Sequence, residues 1–498
     1  MIMAGSNLLK RLMTVYFFTL AAAPISYLIR ILYARGLSVE AYGAFYAVLA
    51  FIGLIGMFND LGMNPALVYY LPKFIKERSF SKIRSAVSLV AGIELLSSVV
   101  VLAVIFILRE FLAEHFFRSE IALIVLPIFA FVFLFENIFT LMNNIFKGYR
   151  KELFYSSMNP FRLLSVLIFS FIFYLLFDQN LVMTFSLIWV LSFLFSIVVY
   201  AFPLAKTAPE LIKHKISFSR PTSSKLFRYG FFVMFSSVAG MVLGRLDVLM
   251  LTYFEGVASV GLYEIALPLA TIILVAIKPV TSFLFPNISY FYHSNQLGEI
   301  KAIIQALYNT GLFLFLPLGL IFFLFPQEII VVLFGAKYAP AKIALKILAI
   351  GFIFRGFSSL NFSITDGIGQ VKKKGYLIYL GAGLNIILNL ILIPLYSIEG
   401  AALATSISFF FMFAASLVFL IRKMHFIPAY RNWLKIMIDC LLFISLIYLL
   451  KTWLDMNIYL ETALVVGTAG IIYIAIGFIW RIIDYNAIKQ AATHALKK

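Results

Sequence analysis

Apolar runs of about 20 residues return along the whole length of this chain, and they limit what it can become more than any motif does. They fall at 12–34, 41–63, 83–108, 121–145, 154–177, 182–204, 229–252, 259–284, 302–325, 343–367, 375–396, 399–421, 433–451 and 459–480. Each can cross a hydrocarbon layer of about 30 Å as a helix, and a helix satisfies its own backbone hydrogen bonds where no water can. Hydrophobic residues fill 63% of the 498 positions and charged residues only 12%, against about 25% charged in soluble domains. The chain is therefore expected to be all-α and polytopic, with fourteen transmembrane helices.

The loops give an orientation. With the N-terminus in the cytoplasm, the inner side collects Lys10 and Arg11, then Lys73, Lys76, Arg78, Lys82 and Arg84, then Lys147, Arg150 and Lys151. Further inner loops add Lys206, Lys213, Lys215, Arg220, Lys225 and Arg228, then Lys301, Lys372, Lys373 and Lys374, then Arg422, Lys423, Arg431 and Lys435. The outer loops hold only Arg35, Arg109, Arg118, Lys337, Lys342 and Lys451. Positive charge marks the cytoplasmic side, so both termini are expected inside, in the cell membrane. The same bias accounts for the net charge of +18 without nucleic acid as a partner. Lys10 and Arg11 precede a long apolar stretch with no small-residue cleavage site, which suggests a retained first helix. The single Cys440 lies in an apolar run and reads as packing. The histidines are scattered through loops and a tail, with no metal-ligand spacing.

Two short patterns occur twice. "YGAFYAVLA" opens the second run at Gly43, and "VGLYEIALPLA" opens the eighth at Gly261, an offset of 218 residues (43 to 261). "FKGYRKE" closes the fourth at Gly148, and "GIGQVKKK" closes the tenth at Gly369, an offset of 221 (148 to 369). Similar offsets from separate pairs point to a six-helix unit used twice in the same orientation, an architecture of secondary transporters. The expected division is an N-lobe over 1–204, a basic cytoplasmic linker over 205–228, a C-lobe over 229–425, and two further helices with a tail over 426–498.

Several stretches in order, "ARGLSVEAYGAF", "NDLGMNPALVYYLPKF", "GRLDVLMLTYFEGVASVGLYEIALPLA", "LFGAKYAPA" and "SIEGAALATSIS", resemble the polysaccharide-flippase branch of the multidrug/oligosaccharidyl-lipid/polysaccharide exporter superfamily. The likeness covers about residues 10–420. It implies two six-helix lobes around a central cavity and movement of lipid-linked sugars from the cytoplasmic to the outer leaflet.

Polar residues inside the spans are the candidate site. The eighth run carries Glu264, Thr271, Lys278 and Ser282 at spacings that share a helix face, either lining a lumen or bonding to neighbouring helices. The fourth run carries Glu136, Thr140, Asn143, Asn144 and Lys147, and its repeat counterpart, the tenth, carries Arg355, Ser358, Ser359 and Asp366. Arg245 and Asp247, two residues apart, point about 200° away from each other on a regular helix. Asp247 shares its face with Gly244 and Gly240, which would also suit a close-packed seam. Arg30, Glu94 and Arg162 lie in other runs, and Asp60 adds a further acid. An ionised side chain at membrane depth costs at least about 2.5–3.5 kcal/mol, so function or pairing must retain it.

Arginine and lysine suit a pyrophosphate-linked lipid. The headgroup contacts expected are Arg30, Arg245, Lys278 and Arg355. Asp247, Glu264, Glu136 and Glu94 are candidates for a coupling ion, H+ or Na+, and Thr271, Thr140, Asn144 and Ser359 for a polar cavity wall. The expected partners are a lipid-linked oligosaccharide and the bilayer, with the protein a monomer that needs no cofactor and is not an enzyme. Two alternatives remain open. A Na+- or H+-coupled drug exporter of the same superfamily would favour an acidic, aromatic cavity, and the buried cations weigh against it. A membrane glycosyltransferase needs positioned carboxylates, commonly on a large outer loop, yet the longest outer connection, 326–342, has one acid, Glu328. No Gly-x-x-x-x-Gly-Lys-[Ser/Thr] loop offers direct use of ATP.

Overall fold

A computed structural model describes residues 2–57, 59–176, 180–214, 216, 220–275, 277–425, 430–453 and 458–480. The described residues form helices and no strand. In order these are α1 (Ile2–Gly36), α2 (Val39–Gly56), α3 (Met63–Lys76), α4 (Phe80–Phe111), α5 (Ile121–Gly148), α6 (Glu152–Leu176), α7 (Leu181–Thr207), the short α8 (Glu210–Lys213) and α9 (Arg220–Glu255). Then follow α10 (Val257–Thr271), α11 (Ile277–His293), α12 (Leu297–Leu324), α13 (Pro326–Phe334), α14 (Lys342–Gly367), α15 (Val371–Met424), α16 (Tyr430–Trp453) and α17 (Ile458–Ile479). Eleven helical stretches among the described residues are long and apolar enough to cross a membrane. One of them, Val371–Met424, is a 54-residue run that turns sharply at Ser397 (φ 51°, ψ −125°), between the two runs expected there.

Two of the expected spans are interrupted. The second run does not continue as one helix through residue 63: α2 stops at Gly56, Leu61 and Gly62 adopt positive φ, and α3 restarts at Met63. Asp60 drives this restart, because its carboxylate accepts from the Gly62 and Asn64 backbone N–H groups at 2.8 and 2.9 Å, the usual work of a helix-capping acid. The eighth run breaks as well: α10 tightens into a 3-10 turn over Ile272–Leu274 before α11 begins. The sequence has a proline at 279, which offers no backbone N–H to the carbonyl four residues earlier, so the ladder of a regular helix is interrupted there. The continuous polar stripe expected from Glu264 to Ser282 is therefore divided between two helices. The Lys278 and Ser282 side chains lie outside the described residues, as do the basic residues of the tail beyond 480.

The chain divides into two compact units, 1–261 and 262–498. In the first, α1, α2, α5 and α7 meet in an aromatic core: Tyr33 stacks on Phe185 with ring centroids 4.2 Å apart, and Phe45 packs edge-on against Tyr33, Phe129 and Trp189. A second cluster, built on Leu67, Leu71, Ile83 and Val90, takes in Leu226 at the start of α9. In the second unit, Phe313, Cys440, Phe443 and Tyr473 form one buried cluster, and the Cys440 thiol lies 3.7 Å from the Tyr473 hydroxyl.

The ends of α5 and α14 share one backbone pattern. α5 ends with Tyr149, Arg150 and Lys151 donating to Ile145, Lys147 and Phe146, and α14 ends with Ile368, Gly369 and Gln370 donating to Ile364, Asp366 and Thr365. Arg150 (φ 54°) and Gly369 (φ 75°) hold the left-handed position in each. The helix-end partner of Gly148 is thus Gly367, not Gly369, and the offset is 219 residues (148 to 367). The same pattern closes α3 at Arg78 and α11 at Asn295, both left-handed.

Candidate functional site

The first unit holds a connected set of charged and aromatic side chains within its spans. Arg30 of α1 lies over the Tyr46 ring of α2, 4.3 Å from its centroid. Tyr46 and Arg162 both act electrostatically on Tyr33, whose hydroxyl contacts Ser170 at 3.0 Å and accepts from Trp189 Nε1 at 3.2 Å. Arg162 of α6 is buried, 4.4 Å from the Phe193 centroid and 5.1 Å from that of Trp189. Rings of this kind attract a guanidinium through their negative faces. Its Nη2 reaches Asn159 Oδ1 at 3.4 Å, and its Nη1 is buried with no acceptor.

Arg162 and Arg245 are both within electrostatic reach of Glu136 on α5. The Glu136 side chain nevertheless keeps an accessible face, and Arg245 is half-buried. The structure therefore brings together Glu136, Arg162 and Arg245, with Arg30 joined through Tyr46 and Tyr33. Arg162 counted among the buried candidates but not among the expected headgroup contacts; its aromatic setting, invisible in sequence, is what distinguishes it.

Asp247 is buried and accepts from the Val248 backbone N–H at 2.9 Å. Helix α9 is continuous through this stretch, so Arg245 and Asp247 do point apart. A methyl on Gly240 or Gly244 would meet nothing within 4 Å, so among the described residues no close-packed seam forms there.

The first unit holds a second polar group. Glu94 of α4 is buried and accepts from Asn64 Nδ2 at 2.5 Å. Ser98 Oγ donates to the Glu94 backbone carbonyl at 2.6 Å and accepts from Asn137 Nδ2 at 2.7 Å. Ser97 donates to Asn59 Oδ1.

The second unit distributes its polar residues differently. Glu264 is buried, and Thr271 donates to the Pro268 carbonyl at 2.6 Å. Arg355 is half-buried, 5.5 Å from the Phe409 ring centroid. Ser358 and Ser359 donate to the Arg355 carbonyl at 2.9 and 3.0 Å, so both hydroxyls bond to their own helix. Asp366 pairs with Lys374 at 2.6 Å. In the first unit, Asn144 accepts from Lys147 at 3.4 Å, and Thr140 is half-buried.

Sequence reasoning missed an amide cluster within α15. Asn389 Nδ2 donates to Asn385 Oδ1 at 3.1 Å, and Asn385 Nδ2 lies 3.4 Å from Thr405 Oγ1, while Asn389 Oδ1 is buried with no donor. Two asparagines four apart in an apolar run were the available signal. It also missed an apolar cavity of about 390 Å³ lined by Tyr308, Leu316, Phe323, Ile353, Phe413 and Trp433, among others, which suits hydrocarbon rather than a charged group.

An all-helical, multi-pass membrane protein that keeps ionised groups inside its spans has the makings of a transporter for a polar or charged cargo. The model of the family described as "Polysaccharide biosynthesis protein" matches residues 8–292. The chain belongs to this family, in the polysaccharide-flippase branch of the multidrug/oligosaccharidyl-lipid/polysaccharide exporter superfamily. An uncharacterised membrane protein of Methanocaldococcus jannaschii is 29% identical over 493 residues, covering 96% of each chain. Agl15 of Haloferax volcanii, a probable low-salt glycan biosynthesis flippase, is 28% identical over 213 residues, covering 43% of this chain and 44% of its own. Among solved structures, the lipid II flippase MurJ in an inward closed conformation superposes with a TM-score of 0.72 at 18% identity, over 93% of this chain and 99% of that one. The last is a likeness of fold.

Proposed function

We propose that this protein flips a polyisoprenyl-(pyro)phosphate-linked oligosaccharide from the cytoplasmic to the outer leaflet of the plasma membrane, by alternating access, in polysaccharide or glycoconjugate biosynthesis. The observation that carries this reading is the cluster of Arg162 and Arg245 around the accessible Glu136, with Arg30 nearby, in spans that are otherwise apolar. Guanidinium groups match phosphate oxygens with paired donors, and Arg162 Nη1 has a hydrogen to give. Arg30, Arg245, Lys278 and Arg355 are assigned to the headgroup, and Thr271, Thr140, Asn144 and Ser359 to the polar wall. The apolar cavity beside Tyr308 is in keeping with a greasy carrier.

Asp247, Glu264, Glu136 and Glu94 are the groups through which H+ or Na+ would drive the cycle. The membrane potential could contribute about 2.3 kcal/mol per charge per 100 mV acting on the headgroup. Both termini are placed in the cytoplasm and the working unit is a monomer.

The test is transport of a fluorescent lipid-linked sugar in proteoliposomes by the wild type and by Arg245→Ala, Lys278→Ala and Arg355→Ala. Each loss of a charge-assisted contact should slow transport about tenfold or more, as expected for about 1.5–3 kcal/mol. Unchanged transport in all three overturns the headgroup assignment.

A further inference from the structure

Glu94 is a buried acid of the first unit, and among the described residues no cation pairs with it. It sits beside the break between α2 and α3, and interrupted spans are where transporters build ion sites. Its side chain is 3% exposed. The charged group that acts on it is another acid, Asp60, whose two oxygens are held by the Gly62 and Asn64 backbone N–H groups at 2.8 and 2.9 Å.

The elements packed around Glu94 bring neutral partners. α3 presents Asn64, α5 presents Asn137 through Ser98, and the turn before α3 presents Asn59 through Ser97. Charged side chains on neighbouring elements have other partners: Lys73 of α3 and Lys82 of α4 lie 3.9 and 3.7 Å from Glu77, Arg84 of α4 donates to the Ile212 carbonyl, and Lys147 of α5 donates to Asn144. Glu136 of α5 and Arg245 of α9 act on each other. Glu210 of α8 takes the Tyr149 hydroxyl, and Glu114 and His115, in the π-helical turn after α4, lie 4.0 Å from each other.

Asn64 supplies the decisive detail. Its Nδ2 donates to Glu94 Oε1, and its Oδ1, on the same planar amide, is buried with no donor. A primary amide and a neutral carboxyl complete each other: the amide N–H gives to one carboxyl oxygen, and the acid O–H gives to the amide oxygen. A carboxylate can make only the first of these bonds, because it has no hydrogen to offer. One proton on the second oxygen of Glu94 is the donor that Asn64 Oδ1 lacks.

We propose that Glu94 and Asn64 form a binding site for one transferable proton in the first unit. A metal cation is a poorer occupant. It would take about six oxygens, whereas those of Asp60 and Asn59 already accept hydrogen bonds. Occupancy is communicated through Ser98, which ties the Glu94 backbone carbonyl to Asn137, the residue next to Glu136. Releasing the proton removes the second of the two acid–amide bonds and leaves only the Asn64 N–H donated to Glu94, which loosens the hold of this turn of α4 on α3. The proton site stands on geometry alone; its coupling to transport rests on the flippase reading.

The test has two arms. The first is difference infrared spectroscopy of the full-length protein in lipid, titrated with pH, which reads the carbonyl stretch of a neutral carboxyl. A band should be present at neutral pH, disappear on alkaline titration, vanish in Glu94→Gln, shift in Asn64→Leu and survive in Glu264→Gln. A band absent at neutral pH, unaffected by Glu94→Gln, or fixed at every pH overturns the proposal. So does a Na+-dependent spectrum with no neutral carboxyl. The second arm measures the steady-state leaflet ratio of the fluorescent lipid-linked sugar under an imposed pH gradient. One coupled proton shifts that ratio about tenfold per pH unit in the wild type, with no shift in Glu94→Gln and a shift restored in Glu94→Asp. A titrating band with pH-independent transport overturns the coupling. A titrating band with no sugar transport in any variant counts against the flippase reading and leaves the proton site standing.

Discussion

Gly43 and Gly261 pack backbone to backbone. A methyl at Gly43 would lie 1.8 Å from the Val257 carbonyl oxygen and 2.7 Å from the Gly261 nitrogen, and one at Gly261 would lie 2.2 Å from the Val39 carbonyl oxygen. The obstacle is main chain, which cannot rotate aside as a flexible side chain can. Gly43→Ala must therefore force α2 and α10 apart, at a cost of about 1–3 kcal/mol or more. A lowered melting temperature in detergent is the readout. Gly240→Ala is the control, since its methyl meets nothing within 4 Å, and its melting temperature should stay close to the wild type's.

Those two glycines stand out in the sequence because each opens an apolar run with a Gly-aromatic pattern. Their contact was not readable, since sequence spacing says nothing about which backbones cross. The polytopic class followed from apolar run lengths alone. The breaks at Asp60 and near Pro279 were harder to see, because hydropathy averages over a capping acid or a proline without registering its backbone chemistry. Glu136 and Arg245 could be picked out as costly residues in apolar runs. That Arg162 joins them, boxed by Trp189 and Phe193, depends on four helices meeting, and no local pattern carries that. The same holds for Asn64, which looks like an ordinary residue before a proline until Glu94 is placed against it.

Glu136 shares with the cargo the property of being an anion within reach of Arg162 and Arg245. Under the proposed flippase reading it would compete with the headgroup phosphate for the same two cations. Glu136→Gln keeps the shape and removes the charge, and the apparent affinity for an anionic headgroup should rise about tenfold, equivalent to about 1.4 kcal/mol. Titration of the purified protein with a soluble pyrophosphate-linked sugar measures this directly. Equal or weaker affinity in Glu136→Gln would refute the competition.

Tyr149 and Glu210 fasten the start of the basic linker to the first unit. The Tyr149 hydroxyl donates to the Glu210 carboxylate, and Arg84 holds the Ile212 carbonyl at 3.1 Å. Losing the tyrosine hydrogen bond should cost about 1 kcal/mol, so trypsin should cut after Lys213 about fivefold faster in Tyr149→Phe. Burial, and then the Glu210 carboxylate, push the Tyr149 hydroxyl above its ordinary pKa of 10. The neutral hydroxyl is thus favoured in the folded protein, and its stabilising effect is complete below pH 10. It falls away as pH rises beyond that, where the unfolded chain loses its proton first. The difference in melting temperature between wild type and Tyr149→Phe should be constant from about pH 7 to 10 and shrink above it.

Ser397 occupies backbone space that glycine enters freely and other residues resist. Its φ of 51° and ψ of −125° break α15 between Tyr396 and Ile398, and a side chain in such a region stores roughly 1–3 kcal/mol of strain. The turn is held from outside the residue itself: Gly400 lies so close to the returning chain that a methyl there would sit 2.0 Å from the Leu392 carbonyl oxygen. Because the surroundings fix the conformation, relieving the strain should stabilise the protein rather than loosen it. Ser397→Gly is accordingly expected to raise the melting temperature, after the small entropy loss that glycine brings to the unfolded chain's comparison. Gly400→Ala should lower it, since the methyl opens the turn instead of relaxing it. If Ser397→Gly melts at or below the wild type, the strain is absent and the break in α15 is set by the packing around Gly400 alone.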